Sequence, residues 1–415
     1  MTDYAVGNLP YELQKIALGA CFLGSGGGGK LETSLKYIDD YFSDNEEFQN
    51  FQIADLITDL KDAQPNESGI VVAYMGAPQK MDNIKCPDAV CEGIKKFVKD
   101  KGIDSINYII PAEIGPVSTI TACLTAHKMG MHVLNIDGAG RAVPTLELIT
   151  YTTKASVNPT ILCSENMAIS GDPAYHQITL EISDDTGPGA ASKMESLARP
   201  VLNMAEFDQK AGLVMWYFSD VTELLNDNAC VQGTLTFCQT LGDAILPTKP
   251  KDEEGFPDIE ELFKSQSIYP TIKEICQGKL ISATTLTAGG FDVGVITIED
   301  EDDSGHLYTI IFQNESLILW DSGSANPLIT APDLISYLIK GPKGQYVFTN
   351  GDIMDGSALK EDLRGTKIVV YGIAAPNALR GSESNMIKSE MLRQYMSVLN
   401  TLGYYGKYEP LKNNL

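Results

Sequence analysis

Acidic and basic side chains stand near the ends of predicted strands in two short motifs. Glu113 follows a strand in "PAEIGP", and Asp137, Arg141 and Glu147 follow the next strand in "NIDGAGRAVPTLE". Carboxylates can move protons to and from water, and a guanidinium can stabilise a developing negative charge. The four residues are therefore candidate catalytic residues. Structural roles stay open, because Glu113 could cap the helix that follows it and Asp137 could simply pair with Arg141.

A glycine-rich loop precedes these motifs, in "CFLGSGGGGK". Its spacing partly matches phosphate-binding loops, but a predicted helix rather than a strand comes before the glycines, and Leu31 stands where a P-loop carries a hydroxyl. We therefore expect no nucleotide here. The loop could present backbone N–H groups to an anion or a polarised carbonyl, or it could be a hinge between two helices. Its candidate ligand-binding residues are Ser25, Gly26, Gly27, Gly28 and Gly29.

Asn314 and Glu315 interrupt an apolar strand pattern in "LYTIIFQNESLILW". Buried polar side chains need a partner, so this pair either binds a ligand or is satisfied inside the protein. We include both as candidate ligand-binding residues. The four histidines show no metal-ligand spacing, so we assign no metal ligand and the cofactor stays unknown. A divalent metal, if one binds, would need carboxylates for most of its ligands.

The elements that must position these residues alternate between strand and helix in the first part of the chain. "SGIVVAYMGAP", "INYIIPAEIG" and "MHVLNIDGAG" are typical of strands, and helical patterns separate them. This alternation predicts an α/β domain with a mostly parallel sheet over residues 1–172, with functional groups at the carboxyl ends of its strands. Hairpin-like strands then predict a β-rich α+β domain with a C-terminal helix over residues 173–415.

The acidic composition narrows the choice of partners. The chain carries 55 acidic and 31 basic residues and a formal charge of −24, which opposes binding to nucleic acid or to an anionic membrane. No apolar stretch approaches the roughly 20 residues that span a bilayer, and the first residues lack a cleavable signal pattern. Eight scattered cysteines suit free thiols in a reducing compartment, so we expect a cytoplasmic protein. Homo-oligomerisation stays open.

Six short motifs occur in an order that resembles a known family: "LGSGGGG", "AEIG", "DGAGRAVP", "GGFDVG", "FQNESL" and "APDLI". That family, formerly of unknown function, is now described as S-methyl thiohydantoin desulfurase, and the similarity covers about residues 9–376. The resemblance implies an α/β domain followed by a mainly β domain, and a link to hydantoinase- and oxoprolinase-type enzymes. The activity it implies is hydrolytic removal of a thiol from a cyclic S-methyl thiohydantoin.

On this resemblance we expect a hydrolase whose small-molecule substrate is a five-membered cyclic amide or thiohydantoin-like ring. Glu113 or Asp137 would activate water, and Asp137→Asn would then abolish turnover without unfolding the protein. Arg141 and the amides of residues 26–29 would stabilise the oxyanion, and Glu147 would protonate the leaving group. The chain lacks some carboxylates that the family usually carries. The alternative is therefore a non-catalytic binding or regulatory protein associated with hydantoinase-type enzymes.

Overall fold

The computed structural model of the protein describes residues 4–43, 51–76, 81, 84, 87–168, 175–225, 229–246, 256–302, 305–341, 345–380 and 390–412. The helices in these residues are α1 (Leu9–Leu23), α2 (Leu31–Ser43), α3 (Asp88–Lys101), α4 (Pro116–Met129), α5 (Pro188–Leu202), α6 (Thr234–Ile245), α7 (Glu260–Phe263), α8 (Asn377–Arg380) and α9 (Glu390–Thr401). None of these described helices has the length and apolar character needed to cross a lipid bilayer.

The strands alternate with helices at first and then follow one another directly. They are β1 (Ile57–Thr58), β2 (Gly69–Gly76), β3 (Tyr108–Pro111), β4 (His132–Leu134), β5 (Ile136–Asp137), β6 (Thr160–Met167), β7 (Tyr175–Leu180), β8 (Lys210–Phe218), β9 (Val231–Gln232), β10 (Ile272–Ala288), β11 (Phe291–Asp300), β12 (Leu307–Gln313), β13 (Glu315–Asp321), β14 (Ile329–Thr330), β15 (Leu334–Lys340), β16 (Tyr346–Val347), β17 (Met354–Asp355), β18 (Ala358–Leu359) and β19 (Lys367–Ile373).

The first sheet has, among the described residues, seven strands in the order β1–β4–β3–β2–β8–β6–β7. β1, β4, β3 and β2 are parallel to one another, and β8, β6 and β7 continue the sheet in antiparallel fashion. Every residue of β2 is buried, as expected for a strand covered on both faces. Because β2 and β3 are parallel neighbours, the residues that follow them meet at one edge of the sheet.

The second sheet is antiparallel and runs, in the described chain, β14–β13–β12–β11–β10–β19–β15–β16, with β17 and β18 beside β10. β12 and β13 form a tight hairpin in which Asn314 is the single residue between the strands. The tip of this hairpin places the side chains of Asn314 and Glu315 next to residues of the first sheet. The predicted fold class, an α/β region followed by a β-rich region, is confirmed.

The domain boundary predicted at residue 172 lies outside the described residues. β6 ends before this position and β7 begins after it, and the two strands pair with each other in the first sheet. β8 also belongs to that sheet, where it pairs with β2. The first sheet therefore continues past residue 172, and the division into units of residues 1–172 and 173–415 stays a prediction.

Helices α1 and α6 pack with their backbones in direct contact, which fixes the start of the glycine loop. A Cβ atom at Gly242 would lie 1.8 Å from the carbonyl oxygen of Lys15, and one at Gly19 would lie 2.0 Å from that of Cys238. Such contacts leave no room for any side chain, so only glycine allows this approach. Helix α1, which leads into the glycine loop after Leu23, is thus held against α6.

Candidate active site

A cavity opens where β2 and β3 end, beside the first turn of α4. The tip of the β12–β13 hairpin and the end of the glycine loop form its other side. It holds about 570 Å³ of empty space, counting the part open to solvent. Its lining residues are Gly28, Gly29, Ala73, Tyr74, Met75, Gly76, Met81, Ala112, Glu113, Ser118, Val143, Pro144, Thr145, Leu146, Ile149, Glu195, Arg199, Leu213, Asn314 and Glu315.

Glu113 lies between the end of β3 and the start of α4, and its carboxyl is held by two hydrogen bonds. Oε2 accepts the backbone N–H of Val143 at 2.6 Å, and Oε1 accepts the hydroxyl of Ser118 at 3.3 Å. Burial, with a smaller contribution from the charge of Asp137, raises the pKa of Glu113 to about 7. Both protonation states are therefore populated near neutral pH, which suits a group that takes a proton from water.

Glu315, the first residue of β13, lines the same cavity and is only 2% exposed. Its Oε1 accepts the backbone N–H of Gly28 at 3.2 Å, whereas its buried Oε2 has no hydrogen-bond partner in the described chain. Burial, and next the charge of Glu113, raise the pKa of Glu315 well above its usual value. Two carboxyl groups with mutual repulsion thus face one cavity, and the raised pKa of Glu315 favours its protonated form.

The glycines of residues 27–29 are required by close contacts rather than by flexibility. A Cβ at Gly27 would lie 2.1 Å from Oε1 of Glu315, and one at Gly28 would lie 2.5 Å from Cα of Gly115. Gly28 also has a φ of +73°, which a side chain would strain. The carboxyl of Glu315 and the residues at the start of α4 therefore pack directly against the backbone of this part of the loop. Gly28 and Gly29 line the cavity, whereas Gly27 lies behind Glu315.

The first residues of the loop are joined to the second sheet and do not line the cavity. The hydroxyl of Ser25 accepts the backbone N–H of Ile335 at 2.9 Å. The carbonyl of Gly26 accepts the backbone N–H of Asn350 at 2.6 Å. Ser25 and Gly26 therefore anchor the loop, so a ligand-binding role for them has no support from their position.

Asn314 presents its side-chain nitrogen to the cavity from the hairpin tip. Its Oδ1 accepts the backbone N–H of Asp292 at 2.8 Å, and its own carbonyl accepts the side-chain amide of Asn350 at 2.8 Å. No hydrogen bond within the described residues uses Nδ2 of Asn314. The residue has a φ of +57°, a left-handed conformation that asparagine tolerates better than most residues. Its amide is therefore available to donate to a ligand.

Arg141 and Asp137 are both fully buried and lie outside the cavity lining. Oδ1 of Asp137 accepts the N–H groups of Ala139 and Gly140 at 2.7 and 2.5 Å, and burial raises the pKa of Asp137 to about 7. The guanidinium of Arg141 donates to four backbone carbonyls, three of them from the second-sheet region: those of Ala142, Ser316, Pro332 and Asp333. Arg141 therefore ties the loop after β5 to the second-sheet region, and the structure does not bring it to the cavity as an oxyanion donor.

Glu147 is partly buried and also lies outside the cavity lining. Burial, and next the charge of Glu195, raise the pKa of Glu147. Its position gives no support to the predicted role of protonating a leaving group. The structure thus brings together Glu113, Asn314 and Glu315 from the predicted set, with Gly28 and Gly29 beside them.

Glu195 and Arg199 also line the cavity, from α5, although neither is a candidate from the sequence. Oε1 of Glu195 accepts Nε and Nη2 of Arg199 at 2.9 and 2.6 Å, and its Oε2 accepts the N–H of Leu146 at 2.6 Å. Arg199 also donates to the carbonyls of Pro144 and Gly290. The i,i+4 spacing of an acid and a base could have indicated this pair. The cavity lining thus contains three carboxyl groups and one guanidinium group, which makes it unsuitable for binding an anion.

The described residues contain no group of three His, Cys, Asp or Glu side chains that could hold a metal ion. At the cavity, the carboxyls of Glu113 and Glu315 are the residues that come closest to forming a set of metal ligands. Two carboxyls whose charged forms are disfavoured by burial are a poor ligand set for a divalent cation. The cofactor remains unassigned.

Comparison with known proteins places the chain in a family. The family model of the S-Me-THD-like N-terminal domain matches residues 11–170, and that of the S-Me-THD-like C-terminal domain matches residues 190–388. The chain belongs to the S-Me-THD-like family. This confirms the resemblance to S-methyl thiohydantoin desulfurase and supports a layout of two regions in an S-Me-THD-like protein.

One solved structure supports the fold of this S-Me-THD-like chain over nearly its whole length. A crystal structure of a protein from Chromobacterium violaceum is 29% identical in sequence, with a TM-score of 0.76. The match covers 97% of this chain and 99% of the other. No curated protein matches the sequence.

Proposed function

We propose that this protein is a hydrolase that removes a thiol from an S-methyl thiohydantoin-like ring. Membership of the S-Me-THD-like family supports a thiohydantoin-related function. The observation that carries the proposal is the meeting of Glu113 and Glu315 at one cavity, one with a pKa of about 7 and the other with a pKa raised well above its usual value. Such a pair can accept one proton and donate another in a single turnover.

In this proposal Glu113 begins the reaction as a general base. In its ionised form it removes a proton from water, and the water oxygen bonds to the ring carbon that carries sulfur. The resulting tetrahedral carbon then loses the thiol, and its oxygen becomes a carbonyl. The two hydrogens of the water end on the ring nitrogen and on the thiol, so the products are the oxygen-containing ring and a free thiol.

The cavity walls suit an uncharged ring with an apolar substituent. Ala73, Met75, Met81, Ile149 and Leu213 supply apolar surface around the carboxyls. On the polar side, the Nδ2 of the hairpin-tip asparagine can donate to a ring carbonyl and so orient the ring. An apolar pocket with a few convergent polar groups is the usual form of a small-molecule site.

A thiol-release assay tests the proposal. The purified protein is incubated with an S-methyl thiohydantoin, and free thiol is measured with a chromogenic thiol reagent. Glu113→Gln should lower kcat by roughly 10²–10⁴-fold, because the general base is lost. Asp137→Asn is the matched control, since that carboxyl is fully buried and does not line the cavity. We expect Asp137→Asn to keep its turnover, whereas the sequence alone predicts that this substitution abolishes turnover.

The same assay separates the catalytic role from the alternative. A ring that raises the melting temperature of the protein without releasing thiol would support a non-catalytic binding protein. Loss of turnover in Asp137→Asn with full turnover in Glu113→Gln would overturn the assignment of the base.

A further inference from the structure

We propose that Glu315 is a second catalytic residue, which gives its proton to the departing sulfur, and that Gly27 and Gly28 position it. This inference rests on the proposed thiol-releasing function. The general acid of the reaction is then a residue at the hairpin tip of the second sheet, and the glycine loop serves to position its carboxyl.

The hydrogen bonding of Glu315 leaves one oxygen for chemistry. Oε1 is fixed by the N–H of Gly28 at 3.2 Å, and the contact surface of Gly27 prevents the carboxyl from moving back. Oε2 is buried and has no protein partner in the described residues, although an unpartnered buried oxygen is unfavourable. A proton on Oε2 that is shared with a bound ligand satisfies this atom.

The other acidic groups around the cavity are less suited to this step. Both oxygens of Glu195 are engaged, Oε1 by Arg199 and Oε2 by the N–H of Leu146. Glu147 does not line the cavity. Glu113 is the base and must be ionised when the reaction begins. Glu315 is therefore the one lining carboxyl of the described chain with a buried oxygen that no protein group uses, and burial favours its protonated form.

The step balances in atoms and electrons. As the C–S bond breaks, its electron pair stays on sulfur, and the sulfur takes the proton from Oε2 of Glu315. Glu315 is then a carboxylate and Glu113 carries the proton that it took from water. The ring nitrogen takes the remaining hydrogen of the water as the carbonyl forms. Transfer of the proton from Glu113 to Glu315 restores the starting state.

The acidity of the leaving thiol provides the test. Methanethiol is a weak acid and needs a proton to leave, whereas 4-nitrobenzenethiol is a much stronger acid and leaves as an anion. We compare an S-methyl ring with an S-(4-nitrophenyl) ring. Glu315→Gln should lose roughly 100-fold or more in kcat/KM on the S-methyl ring and less than roughly 10-fold on the nitrophenyl ring. Glu113→Gln should lose activity on both rings alike.

Gly27→Ala is a second variant. It keeps the carboxyl of Glu315 but displaces it, because the added methyl group occupies the space next to Oε1. It should show the same selective loss on the S-methyl ring, because Glu315 is present but displaced. A merely structural defect would lower activity on both rings equally. Gly189→Ala is the matched control, since a Cβ there meets no atom within 4 Å.

Two results would overturn the inference. Equal losses on both rings in Glu315→Gln would remove Glu315 from the departure step, while thiol release by the wild type would leave the proposed function standing. Failure of the wild type to release either thiol would end the proposed function and the role of Glu315 with it.

Discussion

The burial of Glu113 predicts a pH-dependent stability difference that needs no substrate. The folded protein raises the pKa of this carboxyl from 4.5 to about 7, so the native state holds the proton more tightly than the unfolded chain does. One pKa unit corresponds to about 1.4 kcal/mol, so ionised Glu113 destabilises the fold by about 3 kcal/mol. The destabilisation is absent below pH 4.5, grows as the pH rises toward 7, and is constant above that. Glu113→Gln removes it.

The expected result is a stability gain in Glu113→Gln that increases by about 2 kcal/mol between pH 5 and pH 8. Glutamine can keep both hydrogen bonds, since its oxygen can accept from Val143 and its amide can donate to Ser118. Urea-unfolding free energies of the two proteins at pH 5, 6, 7 and 8 give the difference. Glu223→Gln, at an exposed side chain, is the control and should show no such trend. A constant difference across this range, or a variant less stable than the wild type at pH 8, would refute the reasoning.

Three further substitutions test the packing around the site, each measured by urea unfolding. Gly27→Ala forces a methyl group against the carboxyl beneath it and should destabilise the protein by roughly 1–3 kcal/mol, whereas Gly189→Ala should have almost no effect. Arg141→Met removes hydrogen bonds to four backbone carbonyls and should cost about 3–5 kcal/mol; an unchanged unfolding curve would contradict the role of Arg141 in holding these segments together. Gly242→Ala should destabilise by about 2 kcal/mol or more, because α1 and α6 must separate, and normal stability would show that they can do so freely.

The sequence located the site where elementary patterns apply. Glu113 could be placed at the end of a strand because buried strands and amphipathic helices alternate before it, and functional groups gather at such ends. Asn314 and Glu315 were found because polar residues interrupt an apolar run. These are local signals, and the structure brings all three residues to one cavity.

The rest of the site depends on contacts that local patterns do not encode. Asp137 ends strand β5 and Arg141 follows it, but the direction of the Arg141 side chain is decided by carbonyls about 190 residues later in the chain. Helix α5 was not predicted, because its small residues and the internal Pro200 obscure the helical pattern. Glu195 and Arg199 lie on this helix, so the sequence does not identify them as site residues either.

The anchoring of the glycine loop has a consequence for synthesis of the chain. The loop is made among the first 30 residues, whereas its partners Glu315, Ile335 and Asn350 are made about 300 residues later. At roughly 5–20 residues per second, translation leaves the loop without its partners for roughly 15–60 s. The pocket can therefore form only near the end of translation, and a chain whose synthesis stops before the β12–β13 hairpin has an unfinished site.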